Sequence, residues 1–454
     1  MRGPFEIMKT FSQLKKGLAG VACGLALFTG GVFTANTINP TAHVSAATIS
    51  NLKENEIDLK VKSAVAIDAK TGQILYAKNA DQKRETASMS KLMTIYLVLD
   101  AIDNKKLSWD QKISPSKGAV KVSQNTNYSN VPLKEDHEYT VRDLYRATVI
   151  YSANGAAMAL GDQIGGTQQK FIDMMSSEAK KMGIKDAEFY TANGLDNGDV
   201  GQDKYKGAPD SAANKMSATG MAILSQKLLA DHPEVLKTTS IKEAKFDNGD
   251  TKTDMPNWNW MLKGLTKSYS ALPVDGLKTG TSDAAGANFA GTVHKDGHRV
   301  ITIVMGARHK NDEDTSRFEE TQKLMSYVYN NYTYTNVKSG LNFKKGSKLP
   351  VYHGKELTVP TKTRGTSHLW LENDIDSNSI AGQVTGNKKL YKKDGLEAPI
   401  KKGQKVGTYE LTVKGQKTPF IDGSDGIKTT AVASKADKKA NIFVTGWRAI
   451  KGLF

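Results

Sequence analysis

The order of hydrophobic patterns along the chain limits its possible folds more than any other feature. Residues 63–79 read as two short strands around a turn, and residues 288–307 read as a hairpin around Lys-Asp-Gly. Between them, apolar residues recur at helical spacing over 88–104 and 139–166, and a further helical pattern covers 314–332. Strands at both ends with helices between them predict an α+β domain, in which early and late strands share one antiparallel sheet.

A change in texture after residue 335 predicts a second domain. Long helical patterns stop there, and short alternating runs such as KLPVYHG and KVGTYELTVKG follow, separated by glycine and lysine. We therefore expect a domain at 48–335 and a small all-β domain at 336–430.

The last residues, 431–454, are predicted to form a polar linker and an amphipathic helix. NIFVTGWRAIKGLF carries Trp and Phe on one side and basic residues on the other. This pattern is typical of a helix that lies on an anionic membrane surface, and the segment is too short to span a bilayer. A helix packed on the β-domain is the alternative.

The first 46 residues resemble a secretory signal peptide. Three lysines precede a largely apolar run, and small residues follow, with cleavage expected near Ala46 or Ala47. An uncleaved membrane anchor is the alternative. The only cysteine, Cys23, lies in this segment, so the exported chain would depend on its core without disulfides.

The net charge of +16 favours an anionic partner, which by itself could be nucleic acid, anionic lipid or wall polymer. With an export signal, we expect the outer face of the cytoplasmic membrane or the cell wall as the location, and no nucleic-acid partner.

Ser88 and Lys91 are the strongest candidates for chemistry in the chain. Ser-x-x-Lys also occurs elsewhere, so the pattern alone is weak; the other matches begin at Ser12, Ser50, Ser114 and Ser177. Ser88 differs because it precedes a long apolar helix, where residues i and i+3 share one face. A lysine with a lowered pKa could take the serine proton there. The alternative is a helix cap followed by a solvated lysine.

Two further segments support the catalytic interpretation. Ser152 and Asn154 lie at a predicted break between helices, and Lys278, Thr279, Gly280 and Thr281 lead into a predicted strand. We expect the glycine to permit close approach of a substrate backbone and the lysine to hold an anionic group.

Both of these patterns also occur once more in the chain. Ser123–Asn125 lies in a polar stretch that we predict to have no adjoining helix, and Lys70–Gly72 is predicted to be a plain hairpin turn. Ser123–Asn125 is therefore the weaker candidate of the two Ser-x-Asn matches, and Lys70–Gly72 shows how easily the tripeptide arises outside a site.

Ser-x-x-Lys, Ser-x-Asn and Lys-Thr-Gly, in this order, resemble the signature of penicillin-binding proteins and serine β-lactamases. The flanks ASMSKLMT, SANGAAMAL and DGLKTGTSDAAG look like those of D-alanyl-D-alanine carboxypeptidases, over residues 55–335. The later β-domain and the terminal segment also look like that family's. The resemblance implies a transpeptidase-like fold: an antiparallel sheet with helices on both faces, a helical subdomain and a C-terminal β-domain.

The resemblance implies a role for each matching residue. Ser88 matches the acylated nucleophile and Lys91 its base, while Ser152 matches the hydroxyl that passes a proton to the leaving group. Asn154 matches the amide that holds Lys91 or the substrate.

The residues of the third motif match a substrate-binding strand. Lys278 matches the anchor for the substrate carboxylate, and Thr279 and Gly280 continue the strand. Thr281, where Gram-negative relatives often have His, matches the position whose N–H forms the oxyanion hole with that of Ser88.

The implied reaction removes the terminal D-Ala from a peptidoglycan stem peptide, and β-lactam antibiotics would acylate the same serine. Neither a cofactor nor a metal is expected. Transpeptidation stays open, because an amine could replace water. A β-lactamase is a nearer rival, but we find no convincing Glu-Leu-Asn element between Ser152 and Lys278. A non-catalytic wall-binding protein of the same fold is the third possibility.

Overall fold

The computed structural model of the chain describes residues 50–451. The predicted signal peptide and Cys23 lie outside these residues. The strands of the first part are β1 Ser63–Asp68, β2 Ile74–Lys78, β3 Arg84–Glu85, β4 Lys112–Ile113, β5 Tyr139–Thr140, β6 Lys215–Met216, β7 Glu243–Asp247, β8 Lys252–Pro256, β9 Val274–Ser282, β10 Gly286–Lys295 and β11 His298–Ala307. Its helices are α1 Lys91–Asp103, α2 Lys117–Ser123, α3 Val141–Ile150, α4 Asn154–Gly165, α5 Gln168–Lys181, α6 Ala218–Asp231, α7 Val235–Thr239 and α8 Ser316–Asn331.

Early and late strands form one antiparallel sheet, as the sequence predicts. Its order is β2-β1-β11-β10-β9, and β1 pairs along its whole length with β11, from Ser63 opposite Met305 to Asp68 opposite Val300. The sheet therefore joins strands from both ends of the domain through the β1–β11 pair, which makes its pairing strongly non-local.

Both faces of this sheet are buried, which explains the nearly continuous apolar sequence of β1 and β11. Alternate residues such as Val65 and Ile303 join the core formed with α1 and α6, whereas Ala64 and Val304 face the opposite core with α8. The predicted α+β fold, with helices on both faces, is confirmed.

Helix α1 lies at the centre of the helical region. Nearly all of its side chains are buried, including Lys91 at its first position, as expected of a helix that is apolar all round. It contacts α3, α4, α5 and α6. A helix with so many neighbours is a rigid support for whatever its N-terminus carries.

Two local expectations are wrong. The helix predicted from residue 88 begins as a 3₁₀ turn over Ala87–Ser90, and the α-helix starts only at Lys91. Ser123 was expected to have no adjoining helix, but it is the last residue of α2. Short helices such as α2 are stabilised by tertiary contacts, so their sequences show little periodicity.

The second part of the chain is built from strands, as predicted. They are β12 Tyr332–Val337, β13 Lys348–Tyr352, β14 Thr358–Arg364, β15 Ser367–Glu372, β16 Ile380–Gly386, β17 Tyr391–Lys392, β18 Gly395–Glu397, β19 Lys405–Val413 and β20 Ile427–Ala433. Seven of these form one sheet in the order β16-β19-β20-β14-β13-β18-β17, while β12 pairs with β15. The boundaries predicted at 336 and 430 fall inside β12 and β20.

The turn between β1 and β2 is also where the β-domain attaches. Thr71 closes the turn on Asp68, as expected of a hairpin. The Gln73 side chain makes two 2.9 Å hydrogen bonds with the backbone of Trp370, and the Trp370 indole donates to Asp68. The second Lys-Thr-Gly is thus a structural turn with an added docking role.

Helix α9, Ile442–Lys451, ends the described chain. Ile442, Phe443 and Trp447 are exposed, with 81%, 82% and 66% of their surface accessible, and Arg448 donates to the carbonyls of Gly354 and Lys355. Within residues 50–451, none of the helices combines the length and apolarity needed to cross a membrane.

Candidate active site

The segment that carries Ser88 is held in a strained, tightly enclosed turn. Ala87 has a φ of +44°, which is unfavourable for an alanine and must be held by its surroundings. A Cβ on Gly280 would lie 2.6 Å from the Thr86 carbonyl oxygen, and one on Gly194 would lie 2.0 Å from that of Ala87. Close packing of two glycines therefore keeps the turn in place.

This contact corrects the expectation for Gly280. We expected the glycine of Lys-Thr-Gly to make room for a substrate backbone. The crowding that it relieves is with the protein's own Thr86–Met89 segment, because β9 runs directly against the nucleophile turn.

The amine of Lys91 has three oxygen partners. Its Nζ lies 2.8 Å from Ser88 Oγ, 2.7 Å from Asn154 Oδ1 and 2.6 Å from the Asn193 carbonyl oxygen. The Asn154 amide nitrogen donates to the Ser129 carbonyl, which orients the amide oxygen toward the lysine. Ser88 and Lys91 are therefore in direct contact, as the i, i+3 spacing predicts.

The electrostatic setting of Lys91 favours the neutral amine. Its side chain is fully buried, and this burial, together with the positive charge of Lys278, holds the pKa of Lys91 well below its ordinary value of 10.5. A neutral amine has two N–H groups and one lone pair. Asn154 Oδ1 and the Asn193 carbonyl can only accept, so they take the two N–H groups, and the lone pair faces the Ser88 hydroxyl.

Ser152 presents an unpaired hydroxyl in the loop between α3 and α4. Its φ is +63°, its side chain is almost wholly buried, and its Oγ makes no hydrogen bond within the described residues. A buried polar atom without a partner is costly and commonly marks a functional position. Such a hydroxyl is free to bond an incoming ligand.

Strand β9 places the third motif beside the nucleophile turn. Lys278 is buried, its Nζ donates to the Thr279 carbonyl, and burial together with the charge of Arg317 lowers the pKa of Lys278 to about 7. Thr281 is exposed at the end of the strand. Lys278 therefore changes charge near neutral pH, and an anion beside it would favour its protonated form.

A cleft of about 530 Å³ connects these elements. Ser88, Ser152, Asn154, Thr279, Gly280 and Thr281 line it, while Lys91 and Lys278 lie buried behind its wall. Five carboxylates that are exposed or partly exposed also line the cleft and form an acidic rim; they belong to Glu85, Asp196, Asp199, Asp283 and Asp312. An anionic ligand group is repelled by this rim, so its favourable place is near the buried cations.

The sequence did not identify Arg317 and Asn193. Arg317 lies at the start of α8, lines the cleft, and donates to the carbonyls of Gly280 and Asn288, but its Nε has no partner within the described chain. Its burial lowers its pKa to about 10, so it stays charged at neutral pH. No motif surrounds Arg317, whereas Asn193 lies in the stretch FYTANGLDNGD, which resembles an asparagine-glycine-leucine stretch of carboxypeptidases but does not reveal the role of its backbone carbonyl.

The competing motifs lie outside the site. Ser123 Oγ donates to the Val120 carbonyl and accepts from Leu133 N. Lys70 is exposed in the turn that docks the β-domain. Neither residue lines the cleft.

The sequence of this chain is similar to those of one protein family and of several known proteins. A family model described as D-alanyl-D-alanine carboxypeptidase matches residues 49–309, which contain all eight predicted site residues. The D-alanyl-D-alanine carboxypeptidase DacC of Escherichia coli (strain K12) is 30% identical over 424 residues, 90% of this chain and 90% of that protein. The D-alanyl-D-alanine carboxypeptidase DacF of Bacillus subtilis (strain 168) is 27% identical over 394 residues, 87% and 90% of the two chains.

A solved structure resembles both parts of the chain. The peptidoglycan synthesis regulatory factor (PBP3) from Streptococcus pneumoniae aligns with a TM-score of 0.67 and 32% identity, and the alignment covers 84% of this chain and 100% of that one. The likeness therefore extends beyond the catalytic part into the β-domain.

Proposed function

The chain belongs to the D-alanyl-D-alanine carboxypeptidase family, and we propose that Ser88 is the nucleophile with which it removes the terminal D-Ala from peptidoglycan stem peptides. The observation that carries this assignment is the 2.8 Å contact between Ser88 Oγ and Lys91 Nζ. The amine is buried, depleted of charge and oriented with its lone pair toward the hydroxyl, which are the conditions for a general base.

In acylation, Lys91 accepts the Ser88 proton as Oγ attacks the carbonyl of the penultimate residue. The negative oxygen that develops is stabilised by the backbone N–H groups of Ser88 and Thr281. The terminal carboxylate of the substrate is held near Lys278 and Arg317, the two cations behind the acidic rim.

The leaving amine needs a proton before D-Ala departs. We assign its delivery to the Ser152 hydroxyl, which has no hydrogen-bond partner among residues 50–451 and can pass on a proton taken up by Lys91. Water then attacks the acyl-enzyme with Lys91 again as the base, releasing the shortened peptide and restoring Ser88. An amine in place of water would give a cross-link.

A direct test combines turnover with trapping. The purified protein should release D-Ala from a pentapeptide ending in D-Ala-D-Ala, and penicillin should add one covalent equivalent to its intact mass. Ser88→Ala should abolish both, while Ser114→Ala, in another Ser-x-x-Lys, should abolish neither. An adduct that persists in Ser88→Ala would refute the assignment of the nucleophile.

We also propose that the protein acts at the outer face of the cytoplasmic membrane, next to the cell wall. Residues 1–46 resemble a signal peptide, and α9 exposes Ile442, Phe443 and Trp447 beside basic residues. An exposed apolar face of this kind favours the interface of an anionic bilayer. The 336–430 β-domain would then lie between the membrane-associated helix and the catalytic part.

A further inference from the structure

Three side chains that can bind metal meet at the end of α1 opposite from Lys91. Asp103 is the last residue of α1, His232 caps the end of α6, and Glu234 precedes α7. His232 Nδ1 lies 3.0 Å from Asp103 Oδ2 and 3.8 Å from Glu234 Oε1, and the three ligand atoms all lie within 4.8 Å of one another. The cluster is separate from the cleft described above.

The environment of the His232 imidazole favours a bound metal ion at this cluster. The residue is 3% exposed, yet neither ring nitrogen makes a hydrogen bond within the described part of the chain. Asp103 Oδ2 lies close enough to His232 Nδ1 to accept a hydrogen bond. Because no such bond is formed, this oxygen must lie away from the N–H axis of the imidazole. A shared metal would require this placement, because the ion occupies the axis of the imidazole nitrogen and carboxylate oxygens lie beside it.

The spacing and the neighbours agree with this interpretation. Tetrahedral zinc ligands at about 2.0–2.2 Å from the ion lie about 3.3–3.6 Å apart, between the 3.0 Å and 3.8 Å that separate His232 Nδ1 from its two carboxylate neighbours. Asp231, which precedes His232 in the chain, is already engaged by Lys227 and the Tyr96 hydroxyl. That leaves one imidazole and two carboxylates, a ligand set that suits a divalent transition metal.

We propose that Asp103, His232 and Glu234 bind a divalent cation of the zinc type and that the ion joins α1 to the α6–α7 turn. Helix α7 packs on β9, where Thr239 donates to the Asp275 carbonyl. The ion would thus connect the helix that carries Lys91 to the strand that carries Lys278. Sequence spacing does not reveal the site, because the histidine lies more than a hundred residues from Asp103.

Calorimetric titration of chelator-treated protein with Zn²⁺ tests the proposal. We expect one equivalent bound and a higher thermal midpoint with zinc. Asp103→Asn and Glu234→Gln should each weaken binding by at least about tenfold, because each removes one ligand. Both side chains are partly exposed, so these variants should fold.

Asp100→Asn, which removes the same charge one turn earlier on α1, is the matched control and should bind zinc as the wild type does. Absence of saturable binding, or binding that survives in either carboxylate variant, would overturn the proposal. Penicillin acylation, measured in parallel, reports on Ser88 independently of the metal.

Discussion

The side-chain oxygen of Asn154 lies 2.7 Å from the amine of Lys91, so the hydrogen bond between them directs the lone pair of the lysine toward Ser88. Asn154→Asp keeps the acceptor but adds a negative charge, which stabilises protonated Lys91 and raises its pKa. We expect the limb of the pH–acylation profile that reports Lys91 to move to higher pH. If the pKa of Lys91 rises by about one unit, the neutral fraction of its amine falls about tenfold at any pH below the pKa.

Penicillin acylation rates measured over a range of pH test this prediction. Asn125→Asp, in the unused Ser-x-Asn, is the control and should leave the limb in place. An unchanged limb in Asn154→Asp would show that Lys91 is not the titrating base.

Lys91→Ala and Lys278→Ala should fail in different ways. Loss of the base should slow acylation of every substrate by about 10²–10⁴-fold. Loss of Lys278 should lower kcat/KM by roughly 10- to 100-fold for a peptide with a free terminal carboxylate, the worth of a charged hydrogen bond. A substrate without that carboxylate should be affected less.

Steady-state kinetics with the two substrates separate these roles. Lys70→Ala, in the second Lys-Thr-Gly, should be close to wild type because its side chain is exposed. Equal losses on both substrates for both active-site variants would contradict the division.

Gly194→Ala should disturb the nucleophile turn. The new methyl group would lie 2.0 Å from the Ala87 carbonyl oxygen, so the turn must shift. Gly183→Ala is matched to it, with a φ of +85° against +84° but nothing within 4 Å of the added Cβ. The strain of positive φ, about 1–2 kcal/mol, is common to both variants.

The overpacking at Gly194 should cost about 1–3 kcal/mol more and slow penicillin acylation. Urea denaturation and acylation rates measure the two effects. Equal behaviour of the two variants would mean that the contact with Ala87 does not hold the turn.

Lys278→Met should flatten the dependence of stability on pH. The pKa of Lys278 is about 7 in the folded protein and 10.5 ordinarily, so the unfolded chain binds more protons between these values. The free energy of unfolding therefore rises with pH in this window. The variant lacks this contribution, and its stability relative to wild type should increase as pH falls toward 7.

Urea unfolding at several pH values between 7 and 10 measures the slopes. Lys70→Met, at an exposed position, should keep the wild-type slope. Parallel curves for Lys278→Met and wild type would contradict the burial of an ionisable lysine at this position.

Removal of the chain after Ala440 should abolish binding to anionic vesicles without changing hydrolysis of a soluble peptide. The apolar side chains of α9 supply the binding, so Phe443→Ser with Trp447→Ser should reproduce the loss. Leu357→Ser, at a β-domain residue that is 65% exposed, is the control. Flotation of the truncated protein with the vesicles would place the anchor elsewhere.

The sequence alone was sufficient to predict the classes of elements and the residues of three motifs that the structure brings together around one cleft. Short apolar runs beside turn residues in β1 and β11, helical spacing in α1 and three short motifs are local patterns, since each reflects neighbours within a few residues. Ser88 and Lys91 could be paired in advance because a helical turn brings i and i+3 together.

Tertiary structure decided what depends on residues far apart in the chain. The pKa of Lys91 follows from burial and from Lys278, and the direction of its lone pair follows from Asn154 and the Asn193 carbonyl. Gly280 makes room for the chain's own backbone at Thr86 and Met89. Arg317 lines the cleft although no sequence motif marks it. Burial and long-range contacts set these properties, and local sequence patterns do not predict either of them.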